Sequence, residues 1–139
     1  TFTPIPLEED ISSLSAILID DDYYQFIIAN RIMINNLPFV TEKCLIPLKA
    51  KAWMDLSMRK NSGEKIDSRN IKKHKLDIMR LSQVLPVGLY ISLPASIKND
   101  MSKFIIEYEK SDLNPQSINI NMKPEVVLQR LRYFYQLDK

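Results

Sequence analysis

Two stretches, Leu45 to Arg59 and Lys72 to Leu81, constrain this chain more than anything else in it, because each repeats apolar residues at a helical interval and only a polar loop separates them. On the first, Leu45, Leu48, Ala52 and Leu56 share one face, with Trp53 at its flank. On the second, Ile71, His74, Ile78, Leu81 and Leu85 follow a 3-4-3-4 rhythm that puts the only histidine on the apolar seam. The spacing predicts a helix over about 42–60, capped by Thr41 with Pro47 near enough its start to be tolerated. A second helix is predicted over about 68–85, capped by Asp67 after the loop Asn61 to Ile66. Both carry ordered cations, so the pair can hold a polyphosphate, but it does not by itself supply a complete catalytic centre.

The flanking segments extend this pattern. Pro4 and Pro6 forbid a helix early in the chain, and Phe2 to Ile19 reads as extended, with an apolar end suited to a buried strand. Asp20 is placed to cap a helix running to about Asn30, with Asp21 and Asp22 in its first turn. A D-x-D at a strand end also suits magnesium, but three carboxylates at a positive helix terminus favour capping. Arg31 to Val40 alternates across Asn35-Asn36, a hairpin signal. Pro86 to Leu93 reads as a short extended piece. Ile97, Met101, Phe104, Ile105 and Tyr108 mark another amphipathic helix, and a last one starts near Pro124. Leu113 to Met122 reads as an exposed connector.

The expected fold is therefore α+β, mostly α: an N-terminal extended segment and a small hairpin packed on a bundle of four to five helices. Its 139 residues, 45% hydrophobic and 26% charged, suit one domain. Residues 1–40 form the strand, helix and hairpin part, and 41–139 the helical part. The opening alternation from Thr1 to Leu7 reads as a sheet entered midway, so the expectation is a fragment continuing an N-terminal sheet.

Composition excludes several classes. Gly63 and Gly88 are the only glycines, so there is no Gly-rich phosphate loop. One histidine and one cysteine exclude a His/Cys zinc site within the chain, and Cys44 has no internal disulfide partner. No apolar run is long enough to read as a membrane span or signal segment, which makes the cytoplasm the default and a membrane partner unexpected. The net charge of +2 gives no global basic field, although Lys72, Lys73 and Lys75 cluster locally.

The candidate site residues follow from spacing. Lys51, Asp55 and Arg59 recur every four residues, as in a solvated ion-pair ladder. Alternatively, Lys49 or Lys51 offers a point charge to a triphosphate and Arg59 a forked donor. Lys73, His74, Asp77 and Arg80 are helical neighbours, so Asp77 can fix a cationic side chain toward phosphate. The bland alternative is a seam histidine that serves packing.

The runs Leu45-Ile-Pro-Leu-Lys-Ala-Lys-Ala-Trp-Met-Asp-Leu56 and Lys72-Lys-His-Lys-Leu-Asp-Ile-Met-Arg-Leu81, with Ile11 to Tyr24, resemble the C-terminal half of bacterial nucleotidyltransferase-like proteins of the AbiEii/AbiGii toxin type. The resemblance covers most of Ile11 to Leu85. It implies that Lys49 or Lys51 matches the family's helical lysine, Arg59 the following arginine, and Lys73, His74 and Asp77 a later phosphate-contacting motif. The chain lacks the family's Gly-Ser dipeptide, and His74 stands where an acidic residue is commoner in the toxin branch. The implied role is a helical portion that contributes phosphate and acceptor contacts to a composite site and is inactive alone. Its partners would be the missing N-terminal nucleotidyltransferase domain, a nucleotide and an RNA acceptor. Mg2+ and nucleoside triphosphate would belong to the full-length protein, with no cofactor in this chain. The alternative from another class is a non-enzymatic interaction module or homodimer, with Tyr23, Tyr24, Phe26 and Trp53 as anchors.

Overall fold

The computed structural model describes residue 14 and residues 16–138. Asp20 begins the first full helix, α1 (Asp21–Asn30), because its carboxylate accepts hydrogen bonds from the backbone N–H groups of Asp22 at 2.9 Å and Tyr23 at 3.5 Å. Strands β1 (Ile32–Ile34) and β2 (Leu37–Phe39) pair antiparallel, with Ile32 opposite Phe39 and Ile34 opposite Leu37. The two-residue turn between them needs positive φ twice, and Asn35 (φ 51°) and Asn36 (φ 64°) supply it. The hairpin leaves Met33 and Leu37 exposed, while Val40 packs against the core.

Helix α2 (Glu42–Asn61) is the centre of the fold, with α3 (Ser68–Ser82), α4 (Ala95–Lys110) and α1 packed around it. Helix α5 (Pro124–Phe134) closes the bundle against α3 and α4, and its leading proline occupies a first-turn position where an N–H has no helical partner. Trp53 joins α2 to α4 by edge-to-face contacts with Phe104 and Tyr108, at 5.8 and 5.6 Å between ring centres. The Tyr108 hydroxyl in turn donates to the Lys75 carbonyl of α3 at 2.7 Å. Five α-helices and one hairpin among the described residues give the expected α+β, mostly α, architecture.

Pro47 sits inside α2 and has no N–H to give the Lys43 carbonyl one turn earlier. Tyr135, just beyond α5, fills the gap: its hydroxyl donates to the Lys43 carbonyl at 2.7 Å. Thr41 begins α2, as its spacing predicts, but its hydroxyl makes no capping hydrogen bond.

Three expectations change. Leu14, Ala16 and Ile17 are helical, not part of an extended strand. The physical reason is packing: Leu14 and Ile17, three apart, are buried in the core while Ile19 is 85% exposed. Residues 2–13 and 15 of the expected extended stretch lie outside the described residues. Pro86 to Leu93 forms no strand; it is held by bonds from the Ile91 N–H to the Phe134 carbonyl at 2.9 Å and from the Gln136 amide to the Ile91 carbonyl at 2.7 Å. The segment Leu113 to Met122 is more than an exposed connector. It contains a 3-10 turn (Pro115–Ile118), and Leu113, Pro115 and Ile120 are buried.

Cys44 is fully buried, and burial pushes its thiol up to about 12, which removes it as a thiolate nucleophile near neutral pH. Among the described residues, no helix is long and apolar enough to cross a membrane.

Candidate functional site at the junction of two helices

The contact between α2 and α3 gathers the charged groups that the two seams bring into register. Asp77 on α3 is the hub. Its Oδ2 accepts from the Lys49 ammonium at 2.9 Å and lies 3.5 Å from that of Lys73, and its Oδ1 accepts from the Arg80 guanidinium at 3.1 Å. Lys49 reaches it from α2 with its side chain 0% exposed, so the pair bridges the two helices at the edge of the core. Lys73 and Arg80 keep 33% and 51% of their side-chain surface in water. Among the described residues, three cations thus meet at one carboxylate. His74, one residue from Lys73, is 1% exposed and packs on the inward seam beside Ile78.

Four of the six sequence-predicted residues, Lys49, Lys73, His74 and Asp77, therefore lie at one junction. Lys51 and Arg59 do not. Lys51 lies two residues from Lys49, about 200° around the helix, and its ammonium binds Asp100 of α4 at 3.2 Å. Asp100 also accepts from the buried Tyr23 hydroxyl at 2.9 Å, which ties α1, α2 and α4 together. Burial, with the Asp100 carboxylate beside it, raises the Tyr23 phenol well above its ordinary range, so this hydroxyl serves as a hydrogen-bond donor.

Arg59 is held at the surface by Asp55 at 3.4 Å and by Glu64 at 3.2 Å. The expected Lys51, Asp55, Arg59 ladder forms only its second rung, because Asp100 captures Lys51. Exposed pairs of this kind contribute little once side-chain ordering and screening are counted. Arg59→Ala should accordingly shift the thermal midpoint by less than about 2 °C, measured by scanning calorimetry.

Two further groups of residues complete the distribution of charge. Arg80 belongs to the Asp77 hub, as its i, i+3 spacing suggested. Lys60, Lys72 and Lys75 line a cleft with Trp53 on another side of α3. The local run of Lys72, Lys73 and Lys75 was the signal for this second group; helical geometry sends Lys73 one way and the other two another. Of the three successive aspartates, Asp20 caps α1 and Asp22 accepts from Ser96 at 2.6 Å. Among the described residues, no group of three or more His, Cys, Asp or Glu side chains is placed to hold a metal ion. Comparisons with protein-family models, curated proteins and solved structures found no match to this chain.

Proposed function

We propose that the chain acts as the helical portion of a nucleotidyltransferase-like protein and offers the Asp77-centred cations to the phosphates of a nucleotide. The observation that carries this reading is the hub itself, in which one carboxylate orients Lys73 and Arg80 while both remain partly in water. Such cations form short, charge-assisted bonds to phosphate without reorganising. Lys49, fully buried, acts on Asp77 rather than on the ligand. Lys51 and Arg59 are held by carboxylates other than Asp77, away from this hub, and take no part. Magnesium and the groups that bind it would come from the N-terminal transferase domain that the resemblance implies, and an RNA acceptor from outside the chain.

A second reading, an interaction or dimerisation module, has its own observation. Val87, Leu89, Tyr90 and Tyr133 are 81%, 59%, 61% and 56% exposed, with Tyr90 and Tyr133 edge to face at 6.2 Å. The anchors expected from the sequence move inside: Tyr23, Phe26 and Trp53 are buried core residues, and only Tyr24 is exposed.

Light scattering and a thermal-shift titration with nucleoside triphosphate separate the two readings. A monomer whose midpoint rises with triphosphate, and whose affinity falls about tenfold in Lys73→Ala, is the expected result. A stable dimer indifferent to triphosphate overturns it in favour of the module.

A further inference from the structure

On the flank of α3 turned away from Asp77, an open cleft of about 640 Å³ lies between the second half of α2, α3 and residues 112–117. At about 100° per residue, Lys72 and Lys75 fall on one side of the buried seam through His74 and Ile78, and Lys73, Asp77 and Arg80 on the other. Lys60 enters the cleft from α2 to join Lys72 and Lys75, and Asp112 is the single carboxylate among its lining residues.

None of the three ammoniums lies within ion-pair distance of a carboxylate among the described residues, in contrast to Lys49, Lys51, Lys73, Arg59 and Arg80. Converging like charges repel one another; Asp112 attracts Lys75 from beyond ion-pair distance, and an anion relieves the repulsion that remains. Burial already lowers the affinity of Lys75 for its proton. Beneath the ammoniums, Ile71, Leu76 and Met79 supply an apolar floor beside Trp53, and Ser57 and Ser68 add hydroxyl groups. The volume falls in the range that encloses a small molecule.

We infer that this cleft binds a small organic phosphate, a phosphomonoester or diphosphate, with its phosphate on Lys60, Lys72 and Lys75 and its apolar body on Ile71, Leu76 and Met79. A nucleic-acid strand fits the same surface less well. A backbone of repeated phosphates needs free cations continuing beyond the cleft. Here the neighbouring guanidiniums are occupied, Arg59 by Asp55 and Glu64 and Arg69 by Asp67. This site is separate from the Asp77 hub and stands or falls independently of it.

The test titrates the 139-residue chain with inorganic phosphate, phenyl phosphate and a short single-stranded RNA by calorimetry, with circular dichroism as the check on folding. Saturable binding of phenyl phosphate, tighter than inorganic phosphate, is the expected result. It should weaken about tenfold or more in the Lys72→Ala/Lys75→Ala double variant and stay unchanged in Lys103→Ala, which removes an exposed lysine of α4 outside the cleft. Absence of saturable phenyl phosphate binding overturns the inference, as does equal binding by the double variant. Binding of RNA without phenyl phosphate overturns it too, and reassigns the cleft to a polyanion.

Discussion

Asp77→Ala should destabilise the chain by about 3 kcal/mol, and Lys49→Met by less than about 1.5 kcal/mol, although both break the same 2.9 Å ion pair. The asymmetry follows from burial. Removing the carboxylate takes a 2.9 Å ion-pair partner from a fully buried ammonium, and weakening the compensation of a charge in a region of low dielectric is costly. Removing the ammonium and filling its volume with methionine leaves Asp77, 19% exposed, still beside Lys73 and Arg80. The first figure sits at the low end for breaking buried pairs because Asp77 retains some contact with water. Urea denaturation of both variants gives the comparison directly. Equal losses would show that Lys49 is retained for its packing, and the hub would then have no claim to orient anything.

The same contrast explains which parts of the site were legible in the sequence. Lys73, Asp77 and Arg80 sit on one helix at i, i+4 and i, i+3 intervals, so their meeting depends only on helical geometry, which periodicity reveals. Lys49 joins them through the packing of α2 on α3. The apolar rhythm announced that packing but did not fix its register. Lys51 lies apart from this group, held by a carboxylate from α4 that is remote in sequence rather than by Asp55. No local pattern carries that information. Lys60 and Lys75 share a cleft for the same long-range reason, through the placement of residues 112–117 against two helices.

The fold was legible wherever a residue type has one conformational use. Asn35-Asn36 tolerates two successive positive φ values, and Asp20 and Asp67 cap helices with their own carboxylates. Legibility failed where apolar runs lack a decisive period. Leu14, Ala16 and Ile17 belong to such a run, and packing, not intrinsic preference, makes them helical. In Leu113 to Met122, polar composition concealed three inward side chains.

Tyr135→Phe should cost about 2 kcal/mol, much more than the loss of one hydroxyl costs at a surface, because of a proline on another helix. Pro47 denies the Lys43 carbonyl its helical donor. That oxygen accepts instead from the Tyr135 hydroxyl at 2.7 Å. Tyr135 is 0% exposed, so its phenol is locked in place, and burial raises it far above its ordinary range and keeps it a donor. Phenylalanine preserves the ring and its edge-to-face contact with Phe134 but leaves the carbonyl without a donor. Pro47→Ala restores an N–H that reaches the same oxygen, so in that background Tyr135→Phe should cost about 1 kcal/mol less. A double-mutant cycle by urea denaturation measures this coupling. Additive losses, within about 0.5 kcal/mol, would mean that the hydroxyl and the proline do not share the Lys43 carbonyl, and that α5 is held to α2 by apolar packing alone.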